Sequence, residues 1–179
     1  MFTNGKDSTA HASAGEDGFL FPLSLISEQV KAVLPSGYKL RPLHVDDYDK
    51  GFLECLSQLS TVGEISKEEF ILQFRALKKA GDYYTAVIEE PEGRVIACGT
   101  LLVERKFLHQ CGKAGHIEDV IVHDSQRGKK LGLMIVDQLK HLGRETSCYK
   151  VILNCAQRNV EFYEKCGLKL KDYQMCIYF

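Results

Sequence analysis

A buried strand, a basic loop with two glycines and an amphipathic helix follow one another over residues 117–142 and constrain the fold more than any other stretch. The apolar run Val120–Val122 is typical of a strand that is covered on both faces. After the loop, four apolar residues recur at intervals of four, four and three: Leu131, Ile135, Leu139 and Leu142. That spacing predicts a helix with one face against a core. Because the first backbone N–H groups of a helix lack partners within it and favour negative charge, the stretch predicts an anion-binding loop.

The loop consists of Arg127, Gly128, Lys129, Lys130, Leu131 and Gly132. Its glycines, Gly128 and Gly132, allow another molecule to approach the backbone closely. The order resembles the pyrophosphate loop of the GNAT acetyltransferases, which has Arg or Gln, two residues, Gly, one residue, and Gly or Ala. Lys130 replaces the middle glycine of that pattern, and we expect it to join the cradle with an ordinary right-handed φ. The loop alone is also compatible with a solvated basic turn before a helix.

Four further blocks of sequence resemble the glucosamine-6-phosphate N-acetyltransferases of the GNAT superfamily, in order and in spacing. They are Glu104–His109, Gly115–Asp119, Cys148–Leu153 and Asn159–Gly167. The likeness runs from about Tyr38 to about Ile177. It implies the GNAT fold, an α/β fold in which a mixed, mostly antiparallel sheet is flanked by helices. In that fold two parallel strands splay apart, and acetyl-CoA lies in the opening.

The resemblance also implies a reaction. Acetyl would pass from acetyl-CoA to the amino group of D-glucosamine 6-phosphate, by direct attack of the amine on the thioester, for UDP-N-acetylglucosamine biosynthesis. No metal is implied, and relatives of this kind are homodimers that pair or exchange their C-terminal strands. Two alternatives stay open at this point. One is a GNAT enzyme for another amine, such as a polyamine, an aminoglycoside or a protein lysine; the other is a non-catalytic acyl-CoA-binding regulator.

The same resemblance assigns roles in cofactor binding. The pantetheine arm and the thioester would meet three backbone amides, those of Val120, Ile121 and Val122. The amides of the loop Arg127–Gly132 would hold the pyrophosphate. Asn159 would contact CoA at the start of the next helix, where an asparagine is also a plain N-cap. Tyr163 would lie near the CoA sulfur and stabilise or protonate the leaving thiolate, the alternative being a ring packed under the sheet.

The acceptor site is implied to contain Glu118 and Asp119, one of which would help to remove a proton from the amine. As neighbours on a strand they are expected to point to opposite faces, so that only one faces a given pocket directly. Acids in purely structural contacts are the alternative. The implied phosphate contacts are Lys106 and His109, with Tyr149 and Lys150 in support, and Ser60 or Thr61 matches a substrate-contacting turn. Alternatively, Lys106 and His109 lie on the exposed edge of a long strand, where lysine is common.

Two further sites, besides Lys130, depart from the family pattern. Asn154 stands where relatives carry Asp or Glu, and an amide cannot act as a base. Proton removal through water or through a backbone carbonyl then remains. The chain ends in Cys176–Phe179, where relatives carry a basic residue that reaches the partner subunit's phosphate. Tyr178 can donate a hydrogen bond but brings no charge, so phosphate binding is expected to depend more on Lys106 and His109.

Periodicity predicts the order β-α-α-β-β-β-α-β-α-β, the GNAT arrangement. Asp46 or Asp47 is predicted to cap the first helix, and a capping box at Ser66–Glu69 opens the second. A long strand is predicted over Arg94–His109 and a final strand over Lys169–Phe179.

Length and composition limit the remaining possibilities. With 179 residues, one GNAT domain over residues 38–179 is expected, after a disordered leader (1–18) and a segment (19–37) that forms a short docking helix or a partner-binding peptide. The net charge of −1 gives no basis for nucleic-acid binding, and no apolar run approaches the ~20 residues of an integral membrane segment. The seven cysteines are odd in number and contain no C-x-x-C pair, which argues against disulfides and zinc and for a reducing, cytoplasmic location.

Overall fold

The structure, a computed structural model, describes residues 18–178, so the predicted leader lies outside the described residues except for Gly18. A five-stranded sheet forms its centre, with the strands in chain order. The strands are β1 (Lys39–Pro42), β2 (Tyr83–Glu89), β3 (Val95–Arg105), β4 (Lys113–Val122) and β5 (Cys148–Ile152). The first four are antiparallel neighbours, and β5 runs parallel to β4. This mixed sheet confirms the predicted GNAT fold.

Helices cover both faces of the sheet. They are α1 (Glu28–Lys31), α2 (Phe52–Ser57), α3 (Lys67–Ala80), α4 (Leu108–Cys111), α5 (Leu131–Glu145) and α6 (Val160–Lys165). On one face, α5 lies so close that a Cβ on Gly99 would come within 2.7 Å of Ile135 Cγ2. Strand residues alternate between faces, so Thr100 points to the other face and lines a cavity there with Phe52 of α2 and Phe70 of α3. Among residues 18–178, no helix is long and apolar enough to cross a membrane.

The starts of the helices depend on local side chains. The predicted capping box is confirmed: Ser66 Oγ accepts a hydrogen bond from the N–H of Glu69 at 3.2 Å, and the Glu69 carboxylate accepts one from the N–H of Ser66 at 2.8 Å. The predicted cap of the first helix is wrong. His44 caps a 3₁₀-helix over Val45–Lys50, and Gly51, with φ of 81°, separates that turn from α2.

Asp47 instead belongs to a buried ion cluster with Arg41 and Glu89. The Arg41 guanidinium donates to both Asp47 oxygens, at 2.7 and 2.8 Å, and to Glu89 Oε2 at 2.6 and 3.0 Å. The three side chains are only 10%, 0% and 9% exposed for Arg41, Asp47 and Glu89. Burial alone would raise the pKa of Glu89, but the hydrogen bonds and charge of Arg41 outweigh it and hold that pKa below its ordinary value. The cluster fixes the 3₁₀ turn before α2 onto β1 and β2.

The segment before β1 packs on the domain through apolar and polar contacts. Four of its side chains are buried in the core: Leu20, Phe21, Ile26 and Val30. Gln138 of α5 is fully buried beneath it. The Gln138 amide accepts a hydrogen bond from the Ser27 N–H at 2.9 Å and donates one to the Leu25 carbonyl at 3.0 Å. The segment therefore covers α5 and satisfies its one fully buried amide side chain.

The prediction that the long strand extends to His109 is wrong at the C-terminal end of the strand. β3 stops at Arg105, and the chain turns back so that the Lys106 N–H donates to the Gly112 carbonyl at 3.0 Å. Within α4, His109 and Gln110 have φ of 53° and 57°, and Cys111 follows with 60°. Left-handed backbone costs about 1–2 kcal/mol for each such residue, so this turn is strained.

The predicted final strand is also wrong within the described residues. Residues 168–178 form no regular element, and no strand lies beside them to complete a ladder. Their alternating apolar side chains are exposed, with Tyr173 at 94%, Met175 at 93% and Ile177 at 74%. The pattern of a strand is therefore present in the sequence, but up to residue 178 this segment pairs with no strand of the sheet.

Candidate active site

A β-bulge interrupts β4 at Asp119. Thr100 of β3 lies opposite Glu118, whereas Cys98 lies opposite Ile121, so two residues of β4 face the single residue between them on β3. Asp119 has a φ of 54°, and its carbonyl accepts a hydrogen bond from the Cys98 thiol at 3.8 Å. A bulge leaves one backbone group outside the ladder. Asp119 and Val120 thus lie outside the regular pairing of β4 with β3.

The bulge changes the predicted placement of the two acids. Strict alternation predicted that Glu118 and Asp119 face opposite sides of the sheet, but both line the same cavity beneath α2 and α3. The left-handed φ of Asp119 is the cause, because it breaks the two-residue period of the strand. Burial and the charge of Asp119 raise the pKa of Glu118, although His116 opposes the shift.

A second cavity opens where β4 and β5 separate. Their pairing ends at His116 and Ile152, while β4 continues to Val122. The gap leads to a cavity of about 590 Å³ between the strand end, the basic loop, α5 and α6. Its wall contains most of the residues predicted to hold the cofactor: Val120, Ile121, Val122, Arg127, Gly128, Lys130, Leu131, Gly132 and Asn159. An apolar strand followed by the N-terminus of a fifteen-residue helix suits a pantetheine arm that ends in a diphosphate.

Lys130 has a different backbone conformation from the one predicted. It is the N-cap of α5 with φ of 61° and ψ of 16°, which is left-handed, so the prediction of a right-handed φ is wrong. The reason is geometric: the chain must reverse direction between the loop and the helix. Glycine adopts such a conformation without steric cost, which explains the glycine at this position of the family pattern. Lysine adopts it here at a cost of about 1–2 kcal/mol.

The side chain of Lys129 turns away from this groove. Its Nζ donates to the Tyr38 hydroxyl at 2.8 Å and to Gln126 Oε1 at 2.6 Å, and it lies 5.3 Å from the Tyr38 ring centre. Tyr38 also donates to Gln126 Oε1 at 2.7 Å, and Gln126 in turn donates to Glu90 at 2.7 Å. These bonds tie the basic loop to the start of β1 and to the hairpin after β2. A contact of Lys129 with cofactor through its backbone amide stays a prediction.

Tyr163 of α6 lines the same groove. Burial raises the pKa of the Tyr163 hydroxyl, and the charges of Cys155, Cys166 and Glu118 act in the same direction. A phenol that stays protonated can donate a hydrogen bond to a developing anion.

Comparison with known proteins identifies the family. The sequence model of the acetyltransferase (GNAT) family matches residues 40–168. This chain belongs to the GNAT acetyltransferases. Members of the family use acetyl-CoA as co-substrate. The groove between β4 and β5, whose wall contains most of the residues predicted to hold it, is named the acetyl-CoA groove for that prediction.

Curated relatives and solved structures support a narrower resemblance. This GNAT chain is 47% identical over 151 residues to glucosamine 6-phosphate N-acetyltransferase 1 of Dictyostelium discoideum, covering 83% of this chain and 96% of the relative. It is 49% identical over 138 residues to the Candida albicans enzyme of that name, covering 76% and 93%. The crystal structure of the Arabidopsis thaliana glucosamine-6-phosphate N-acetyltransferase superposes with a TM-score of 0.78 at 46% identity, covering 79% and 98%. The resemblance predicted from four sequence blocks is confirmed.

The predicted phosphate contacts of the GNAT chain lie at the other end of β4. Lys106 Nζ donates to Glu104 Oε1 at 2.7 Å, and the second oxygen of Glu104 lies 2.8 Å from His116 Nε2. The His109 ring stacks on Tyr149 with 4.0 Å between centroids, and Lys150 Nζ lies 5.6 Å from the Tyr149 ring centre. The predicted phosphate contacts therefore lie around the strained turn α4 and the start of β5.

The remaining predicted residues are exposed. Asn154 follows the end of β5, and Ser60 and Thr61 lie in the loop after α2, whose next residue, Val62, lines the cavity with the two acids. The structure adds residues to the acetyl-CoA groove that the sequence analysis missed: Gln126, Leu133, Phe162, Lys165 and Cys166. Three of them lie in the block Asn159–Gly167, which already resembled the family. That resemblance was the sequence signal by which these wall residues could have been predicted. Within residues 18–178, no three His, Cys, Asp or Glu side chains are grouped as a metal site.

Proposed function

We propose that this GNAT enzyme transfers acetyl from acetyl-CoA to the amino group of D-glucosamine 6-phosphate and so supplies N-acetylglucosamine 6-phosphate for UDP-N-acetylglucosamine biosynthesis. The observation that carries the proposal is identity of 44–49% to three curated enzymes of that name, over 93–97% of their own length. The match spans both the acetyl-CoA groove and the acceptor side of the sheet.

The groove residues suggest how the donor is held. The amides of Val120–Val122 would line the pantetheine arm, and the backbone group freed by the bulge would polarise the thioester carbonyl. The loop amides at the start of α5 would bind the diphosphate, with Lys130 and Lys165 adding positive charge from the wall of the groove. Holding the thioester beside the amine supplies proximity, which is a large part of catalysis in acyl transfer.

Glu118, Asp119 and Tyr163 would carry out the proton transfers of the reaction. The amine must lose a proton before or during its attack, and a carboxylate with a raised pKa, such as Glu118, is better matched to that task at neutral pH. Tyr163 would donate its proton or a hydrogen bond to the leaving thiolate. Asn154 cannot serve as the base, so the proton would leave through Glu118, directly or by way of water.

The sugar phosphate would bind near α4. Lys106 and Lys150 supply the positive charge there and His109 a ring N–H, and Glu104 holds Lys106 in place through its 2.7 Å ion pair. A lysine supplies a point charge to a phosphate, and an imidazole supplies a directed donor. Tyr149 would position both neighbours through its ring.

We further propose a cytoplasmic homodimer that forms through the C-terminal region. One edge of β5 has no partner strand within the described residues, and the exposed apolar side chains of residues 173–178 follow in sequence. Proteins rarely leave an unprotected edge beside exposed apolar residues, so pairing with a second copy is the expected resolution. The seven cysteines, all free in the residues that the structure describes, suit a reducing compartment.

The test is an acetyl-transfer assay with glucosamine 6-phosphate, glucosamine and spermidine as parallel acceptors, read by product mass because the seven thiols would react with a reagent for free CoA. We expect product with the phosphorylated sugar alone. Equal use of glucosamine would discard the phosphate site, and transfer to spermidine alone would show a different GNAT substrate. Lys106→Ala should raise KM for the sugar phosphate far more than KM for acetyl-CoA, whereas Lys31→Ala, on the distant α1, should change neither.

A further inference from the structure

A set of side-chain hydrogen bonds connects the basic loop to a distant part of the sheet. Gln126, the last residue of the 3₁₀ turn Asp124–Gln126 before the loop, lies at its centre. The Gln126 side-chain oxygen accepts hydrogen bonds from the Tyr38 hydroxyl at 2.7 Å and from Lys129 Nζ at 2.6 Å. The Gln126 side-chain nitrogen donates to Glu90 Oε2 at 2.7 Å. We call these four side chains, Tyr38, Glu90, Gln126 and Lys129, the loop clamp.

The loop clamp allows only one orientation of the Gln126 amide. A flipped amide would bring its nitrogen against the Lys129 ammonium and its oxygen against the Glu90 carboxylate. Both of these bonds involve a charged group, which makes them stronger than bonds between neutral groups. Glu90 is itself fixed, because it is buried and its other oxygen accepts a hydrogen bond from Arg94 Nε at 3.0 Å. The clamp therefore joins the loop to a side chain that is already held in place.

Packing contributes little to holding the middle of the loop. Gly128 and Lys130 have left-handed φ of 84° and 61°, on either side of Lys129. A Cβ on Gly128 would meet no atom within 4 Å, so no neighbouring element packs against the loop there. The ion pair of Arg127 with Asp124 stays within the same turn. Since such backbone persists only where its surroundings fix it, the hydrogen bonds of the Lys129 side chain are what anchor the middle of the loop.

Only one member of the loop clamp borders the acetyl-CoA groove. Gln126 is part of the groove wall, whereas Tyr38, Glu90 and Lys129 are not. Tyr38, which carries no charge, can thus affect a bound donor only through the position of the loop. If the loop amides were not held in place beforehand, binding of a diphosphate would have to order them at a cost in free energy. A side chain that orders the loop therefore contributes to affinity without touching the ligand.

We propose that Gln126, held by Tyr38 and Glu90, is a positioning residue for the basic loop, and that the loop clamp tightens the binding of donors that carry a diphosphate. The proposal rests on the acyl-transfer function proposed above, with the donor in the acetyl-CoA groove. The clamp acts on binding, so it changes donor affinity and leaves the rate of acetyl transfer at saturating donor unchanged. A donor that lacks the diphosphate gains nothing from the clamp.

The first experiment measures the binding of CoA to the full-length enzyme by isothermal titration calorimetry, without any acceptor. Tyr38→Phe keeps the ring and removes the hydroxyl, and one hydrogen bond is worth about fivefold in an equilibrium constant. We therefore expect the Kd for CoA to rise about fivefold. Gln126→Leu loses the bonds to all three partners, and we expect a rise of about twentyfold.

Tyr48→Phe is the matched control, because its hydroxyl donates to the Ile65 carbonyl, away from the loop, and it should bind CoA like the parent enzyme. Unchanged affinity in Tyr38→Phe would overturn the proposal. Because no acceptor is present, a wrong assignment of the acceptor cannot produce that result. A parent enzyme that does not bind CoA would refute the donor site and the clamp together.

The second experiment combines the two substitutions in one variant. If the Tyr38 hydroxyl acts through Gln126, adding Tyr38→Phe to Gln126→Leu should raise the Kd for CoA by less than about twofold. Losses that simply multiply would show that Tyr38 acts independently of Gln126, and would refute the clamp as one unit.

The third experiment separates positioning of the loop from general stability. Steady-state transfer to glucosamine 6-phosphate compares acetyl-CoA with S-acetylpantetheine, a donor that has no diphosphate. We expect Tyr38→Phe to raise the KM for acetyl-CoA about fivefold at unchanged kcat, and to leave kcat/KM for S-acetylpantetheine close to that of the parent enzyme. A merely structural role would lower kcat/KM for both donors alike, so equal losses would refute the positioning role.

Discussion

Replacing Tyr163 by phenylalanine removes one hydroxyl from the acetyl-CoA groove and keeps the ring. The ring contact with Phe162, 5.0 Å between centroids, should survive. Loss of one donor that faces a developing anion lowers kcat by roughly 10²–10³-fold, about 2.7–4 kcal/mol. The hydroxyl is only half-buried, so water can replace part of its effect, and we expect the lower end, about 10²-fold. The KM for acetyl-CoA should change little, because the backbone amides, Asn159 and the two lysines that are predicted to bind the cofactor all remain in the variant.

The assay is steady-state acetyl transfer, with kcat and both KM values measured separately. Tyr48→Phe is the matched control: its hydroxyl donates to the Ile65 carbonyl at 3.1 Å, away from the acetyl-CoA groove. That control should lose about 1 kcal/mol of stability and retain its kcat. If kcat of Tyr163→Phe stays within threefold of the parent enzyme, Tyr163 does not serve the thiolate. If only the KM for acetyl-CoA rises, its role is binding.

Three further outcomes follow from the site and the fold. A base acts only when it is deprotonated, and the pKa of Glu118 is raised above the ordinary glutamate value of 4.5, so kcat/KM of the parent enzyme should rise with pH above that value. Glu118→Gln should remove this rise. Arg41→Leu should lower the free energy of unfolding by about 3–5 kcal/mol in urea at pH 7, since two buried carboxylates lose their partner. Arg41 lowers the pKa of Glu89, so the stability that Glu89 contributes is present above its unfolded pKa and is lost as the pH falls. The difference in free energy of unfolding between the parent enzyme and Arg41→Leu should therefore become smaller in acid. Lys130→Gly should raise the Tm because the left-handed N-cap is relieved, whereas Lys130→Ala should not; a lower Tm for the glycine variant would show that φ is not the source of strain.

Local sequence signals predicted those parts of the fold that depend on near neighbours. The four apolar residues at helical spacing mark α5, and the Ser66–Glu69 box marks the start of α3, because both signals operate within one or two turns of helix. Most of the residues predicted to bind acetyl-CoA share one cavity wall because strand, loop and helix N-terminus are joined in one contiguous stretch of sequence. Such features need no knowledge of the rest of the chain.

The features that were missed depend on residues far apart in the sequence. The bulge at Asp119 arises from its pairing with β3, some twenty residues earlier, so β4 alone gives no sign of it. His44 is the N-cap of the first helical turn, and the Asp47 carboxylate, which Arg41 holds, accepts a hydrogen bond from the His44 N–H. Residues 168–178 have the alternation of a strand but no partner within one chain. In the first two cases a tertiary contact overrides the local preference, and in the third the tertiary pairing that a strand needs is missing from the described residues.

The bulge at Asp119 also acts as a phase shift within β4. Before it, odd-numbered residues such as Gly115 and Ile117 lie opposite Val103 and Leu101; after it, Val122 lies opposite Ala97. The face that carries odd numbers at the start of the strand carries even numbers at its end. A substitution scan that assumed one parity throughout would assign residues 120–122 to the wrong face of the sheet. Odd- and even-numbered residues of β4 thus exchange faces at Asp119, where the two substrates are expected to meet.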